Sequence, residues 1–163
     1  KRQLVVARTA HRVVHLSPNL EICMSLVKLG IDMLDAEHDA LSSLNLDLFN
    51  AVNGRGPEVD TFDLVARLYS LAQSHFRSEE ALFEGWQGSQ HHTRLHSDIV
   101  QRLNILFAKF DSLSPDYTAE NQKEHLVELS KFVDSWLNHH VAFEDTKYIE
   151  YVLEKQKQQV GSS

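Results

Sequence analysis

The segment WLNHHVAFEDTKY, Trp136 to Tyr148, sets two adjacent histidines and two adjacent acids among apolar and aromatic neighbours. A buried imidazole or carboxylate is costly unless something binds it, and a metal ion is the natural binder of both. Similar groups recur upstream: His38, then His75 with Glu79 one turn later, then His92 four residues before His96. Residues at i and i+4 share a helical face, so each of these pairs offers two donors in one direction. The same spacing resolves the histidine doublets. His92 lines up with His96 and His91 does not; His140 is in register with Val133 and Trp136, whereas His139 aligns with Lys131 and Ser135. His38, His75, His92, His96 and His140 with Glu79 and Asp145 therefore form the candidate ligand set.

Five imidazoles and two carboxylates exceed what one ion uses. They suit two six-coordinate ions bridged by the carboxylates, with one coordination position left open. Imidazole-rich ligation fits iron, copper, nickel or zinc, and carboxylate bridges inside a helical bundle favour iron or manganese. Iron is the expected metal, although spacing does not by itself separate it from manganese or zinc.

The elements that must hold these residues are helices. Leu34, His38, Leu41, Leu44, Leu48 and Val52 recur every three or four positions before Asn53-Gly54, the pattern of an apolar helical face with a stop signal. Phe62, Val65, Leu68, Leu71, His75 and Leu82 predict a second helix over about 60–84, with Asp60 or Thr61 as its cap. His92, Leu95, His96, Ile99, Leu103, Leu106 and Phe110 predict a third over about 89–113, and Leu126, Leu129, Phe132, Val133, Trp136 and Leu137 a fourth over about 118–140. No stretch alternates with period two over a strand's length. Short turns make successive helices antiparallel, so the expected fold is all-α, an antiparallel up-down-up-down four-helix bundle with N-terminal and C-terminal extensions. The expected organisation is a flank over 1–30, the bundle over 31–153, and a helix end or linker over 154–163. A polar helix over about 146–159 carries Ile149, Val152 and Leu153 on one side, and His11 with His15 forms a pair in the N-terminal flank.

A chain of 163 residues is long enough for one domain with a sizeable core. Sixteen basic against 23 acidic residues leave a net charge of −7, which opposes phosphate backbones and anionic membranes, so neither nucleic acid nor membrane insertion is expected. No run approaches the roughly 18 apolar residues of a membrane span. Cys23 is the only cysteine, which excludes an intramolecular disulfide and any site built from several thiolates. The chain opens at Lys1 without a signal-like segment and ends in KQKQQVGSS, and it reads as a cytoplasmic piece of a longer protein.

Four fragments, GIDMLDAEHDAL, HFRSEE, HTRLH and WLNHHVAFEDTKY, occur in this order between residues 30 and 148. Together they resemble the hemerythrin family, particularly its bacterial branch. The resemblance implies that His92, His96 and His140 hold one iron and His38 and His75 the other. Glu79, Asp145 and a solvent-derived oxo or hydroxo group would bridge the two, and dioxygen would bind reversibly at the five-coordinate iron. Small anions or nitric oxide are expected at the same position. Leu41, Phe76, Trp136, Leu137 and Val141 match the family's apolar oxygen pocket; Asp35, three residues before His38, and Tyr148 match groups just behind the ligands. Val141 replaces a common isoleucine, and GWQGSQ replaces a tyrosine-proline before the third helix.

Relatives of this domain are joined to chemoreceptors and to enzymes of cyclic di-GMP turnover. The resemblance therefore implies a non-enzymatic oxygen or redox sensor that regulates a fused or partner output domain. The alternatives are a stand-alone oxygen carrier or store and a di-iron oxidase. Ferritin-like di-iron enzymes use four carboxylates and Glu-x-x-His motifs, an arrangement that none of the four helices carries.

Overall fold

The computed structural model of the chain describes residues 26–55, 58–111 and 119–160. Four long helices, α1 (Asp32–Val52), α2 (Thr61–Leu82), α3 (Ser89–Asp111) and α4 (Ala119–Phe143), are followed by a 3-10 turn at Asp145–Lys147 and a fifth helix, α5 (Ile149–Val160). Each long helix packs on the next, and α1 closes the ring against α4. This is the expected four-helix bundle, and there is no strand among the described residues.

Local chemistry sets the helix ends. The Asp60 carboxylate accepts from the Phe62 N–H at 2.8 Å and so satisfies one of the free donors at the start of α2. Asp35, in the first turn of α1, accepts from the N–H groups of Leu29 and Gly30 at 2.8 and 3.0 Å, which fixes the incoming chain one turn before His38. At the other end, the Asn53 amide donates to the Phe49 carbonyl at 2.7 Å.

Among the described residues, the buried apolar side chains form two clusters. The larger runs along the bundle and includes Leu41, Leu48, Leu68, Phe76, Leu103, Leu129 and Val133. The smaller gathers Leu34, Phe83, Val141, Tyr148 and Val152 where α5 meets the bundle. Burying each large side chain contributes about 1.5–3 kcal/mol. The polar candidates lie between the clusters: Leu34 and Leu41 bracket His38, and Phe76 and Phe83 bracket Glu79. α5 is pinned from outside by Tyr151, whose hydroxyl donates to the Glu84 carbonyl at 2.7 Å, and by Lys155, which donates to the same oxygen at 3.2 Å. Gly85 has φ +89°, which favours glycine in the turn, and a Cβ there would lie 2.8 Å from the Tyr151 hydroxyl and push it from its contact.

Some expectations are corrected. Phe62 is 48% exposed at the bundle rim, where it follows the cap of α2, while Phe83, just past the other end, is buried. α4 runs to Phe143, beyond His140, and the last helix begins at Ile149 because a 3-10 turn intervenes. His11, His15 and most of the N-terminal flank lie outside the described residues. No helix among the described residues is long and apolar enough to cross a membrane.

Candidate metal centre

All four bundle helices and the turn after them contribute. His38 comes from α1, His75 and Glu79 from α2, His92 and His96 from α3, His140 from α4 and Asp145 from the 3-10 turn. Each is buried, at 5% exposure or less. The five Nε2 atoms converge: His38 and His75 approach each other at 3.2 Å, and His96 and His140 at 3.1 Å. Around the carboxylates, His92 and His140 Nε2 lie 3.3 and 3.0 Å from Asp145 Oδ1, and His38 Nε2 lies 3.5 Å from Oδ2. His96 and His75 Nε2 lie 3.2 and 3.5 Å from Glu79 Oε2.

The residues fit a pair of cations. Glu79 Oε2, both Asp145 oxygens and His92 Nε2 are buried without a hydrogen-bond partner, an arrangement that is costly in an apolar interior unless positive charge is supplied. The donor atoms fall into two groups, each lying within 4.8 Å: Glu79, His92, His96, His140 and Asp145 in one, His38, His75, Glu79 and Asp145 in the other. Both carboxylates belong to both groups. Two adjacent ions sharing two carboxylates is the arrangement such an overlap accommodates.

The charge states of His38 and His96 agree with this, whereas His75, raised against its burial by Glu37 and Glu79, and Glu79 hold protons that a bound cation would displace. Burial, reinforced by the neighbouring His75, lowers His38 to about 4. Burial lowers His96 to about 3 although Glu80 pulls the other way. Both are neutral near pH 7, the form in which imidazole ligates. Burial and the charge of Asp145 raise Glu79 to about 7. Burial works to raise Asp145 as well, but His140 and His92 beside it hold it well below the usual carboxylate range.

The next layer contains two residues that sequence reasoning missed. Glu37 accepts at 3.0 Å from His75 Nδ1 and also from the Ser78 hydroxyl, and Glu80 accepts at 2.9 Å from His96 Nδ1. An ionised carboxylate only accepts, so it places the imidazole proton on Nδ1 and turns the Nε2 lone pair inward. The one signal for either in the sequence was adjacency to a stronger candidate, in Glu37-His38 and Glu79-Glu80. Asp35 lies a layer further out, with its carboxylate on the backbone before α1 rather than on a site imidazole. Tyr148, fully buried, donates its hydroxyl to Glu79 Oε1. Burial and the Glu79 charge push this phenol far above its ordinary value, so it remains a donor.

The expected pocket residues Leu41, Phe76, Trp136, Leu137 and Val141 are all buried. Phe76 stacks on His96 with centroids 4.3 Å apart and touches Trp136 at 5.2 Å. Four of the five share the large cluster, whereas Val141 packs with Phe83 and Tyr148 on the other side of the donors. His91 and His139 are exposed. In the unusual GWQGSQ turn, Trp86 lies against both His92 and Tyr148, at 6.4 and 6.1 Å.

Fold and site together define a histidine- and carboxylate-lined two-metal helical bundle. The hemerythrin HHE cation binding domain family matches residues 29–152, and the chain belongs to that family. A bacteriohemerythrin of Campylobacter jejuni is 29% identical over 138 residues, covering 81% of this chain and 95% of the relative. A bacteriohemerythrin of Pseudomonas aeruginosa is 25% identical over 125 residues, covering 76% of this chain and 75% of the relative. The cofactor is accordingly a di-iron centre, and hemerythrin domains bind dioxygen there.

Proposed function

We propose that the chain is an oxygen- or redox-sensing domain whose ligation state is passed through the 3-10 turn and α5 to a fused or partner output domain, of the kind used in cyclic di-GMP signalling or chemotaxis. The working unit is residues 31–153, with 154–163 as its link, and it acts in the cytoplasm. The sensing segment itself performs no catalysis.

In this reading His92, His96 and His140 hold one iron, His38 and His75 hold the other, and Glu79 and Asp145 are shared. When bound, the iron pair supplies reversible electron exchange with dioxygen. The chain's own residues set the conditions for it. The two-histidine group provides one donor fewer, so an outside ligand would be taken up on the side of His38 and His75. Leu41, Phe76, Trp136 and Leu137 exclude water there, and a dry pocket disfavours small anions, nitrite-like species included, more than it disfavours neutral dioxygen or nitric oxide.

The observation that carries the sensor reading is the path out of the site. Asp145 and Tyr148 stand at the two ends of the same turn; the first offers oxygens to both donor groups, the second donates to the other shared carboxylate, and α5 follows directly. A change in how either carboxylate is held displaces the root of that helix. Two measurements test this. With ferrous iron loaded under anaerobic conditions, a visible band is expected that develops with oxygen and vanishes on purging. Hydrogen exchange over residues 149–160 is expected to differ between the reduced and oxidised forms; identical exchange would leave an oxygen carrier as the function.

A further inference from the structure

Two site imidazoles carry a carboxylate on the nitrogen that faces away from the centre, and the two carboxylates differ in exposure. Glu37, on His75, is 19% exposed and also held by Ser78. Glu80, on His96, is 34% exposed. Glu80 also lines a groove of about 470 Å3 between α2 and α3, whose walls include Gln73, Arg77, Thr93 and Gln101 and whose lining includes His96 itself. The contact is thus a direct link between solvent and a residue of the three-histidine group.

We infer that Glu80 is a positioning residue for His96 that also tunes the electronic balance of the centre from the groove. It rests on the reading of His96 as an iron ligand. Accepting the Nδ1 proton fixes the tautomer in which Nε2 donates inward, and the negative charge behind the ring makes that nitrogen a stronger donor. A negative charge near the ion stabilises ferric over ferrous iron. Because Glu80 is partly exposed, its influence is screened by dissolved salt, whereas that of Glu37 is screened less.

The test combines charge and geometry. Glu80→Gln keeps an acceptor and removes the charge; an upward shift of the midpoint potential is expected, with iron content retained and the salt dependence of the potential weakened. Glu37→Gln should also raise the potential but leave the salt dependence in place. Glu80→Ala removes the acceptor, and in the metal-free protein the nitrogen-15 resonances of His96 should move from the Nδ1-protonated pattern to a mixture of tautomers. Iron affinity of this variant is expected to fall about 10–100-fold, and Glu80→Asp should restore part of it. An unchanged potential in Glu80→Gln together with an unchanged His96 tautomer in Glu80→Ala would overturn the inference. Full iron binding in His96→Ala would instead overturn the ligand assignment beneath it.

Discussion

The Tyr148 hydroxyl donates to Glu79 Oε1 across 69 residues of sequence, which ties the root of α5 to the middle of the metal centre. One oxygen of Glu79 is thereby held, while the other faces His75 and His96. Tyr148→Phe keeps the ring among Phe83, Trp86 and His92 but leaves a buried acceptor without its donor. A loss of about 1–3 kcal/mol is expected in the metal-free protein, read from its urea midpoint. In the loaded protein, the difference in α5 exchange between oxidation states should shrink.

The choice within each histidine doublet is tested by iron content. His92→Ala, His140→Ala, His75→Ala and Asp145→Ala should each lose the two-iron centre and, with it, the folding energy that metal binding supplies. His91→Ala and His139→Ala should keep about two irons per chain, because both rings are exposed. Iron loss in either would show that the inward member had been misjudged.

The metal-free protein should lose stability as pH falls from about 6.5 to 4.5. His38 and His96 have folded values of about 4 and 3, below the ordinary 6.5, so in this window the unfolded chain binds more protons at both positions and acid favours unfolding. Glu79 works in the opposite sense, since its folded value of about 7 lies above the ordinary 4.5. His75, raised against the effect of burial by its Glu37 hydrogen bond, acts with Glu79 near the top of the window, while Asp145, Glu37 and Glu144, all held below their ordinary values, act with His38 and His96 near the bottom. Urea midpoints measured across the window should rise with pH; a fall would mean that Glu79 and His75 outweigh the other groups.

The apolar wall can be probed by size. Leu41 is fully buried, and Leu41→Ala should cost about 2–5 kcal/mol by opening a cavity. The cavity lies one turn from His38, so the variant should also oxidise faster in air, followed by the decay of the oxygenated band. Val141 packs behind the donors with Phe83 and Tyr148. Val141→Ile should therefore change the oxidation rate less than Leu41→Ala does.

The helical stripes and the seven donors were legible because burial leaves a 3.6-residue rhythm and because histidines interrupting that rhythm are conspicuous. Glu37 and Glu80 were not, since an acid beside a candidate ligand looks like part of a solvated face until the partner helix is in place to receive it. Phe62 was misjudged, and Phe83 passed over, for a related reason. Periodicity assigns a face but says little about the rim, where the cap of α2 leaves Phe62 outside and the fold of α5 covers Phe83. The break after Phe143 carried no glycine or proline to announce it.

That break separates Asp145 from the rest of the set. The other six donors ride on the four long helices, whereas Asp145 arrives only with the turn that follows them. During synthesis the helices can therefore emerge and associate before the second shared carboxylate has left the ribosome. A chain ending at α4 would carry five imidazoles and Glu79 but only one of the two shared carboxylates. Capture of the metal pair thus becomes a late event that marks a finished domain.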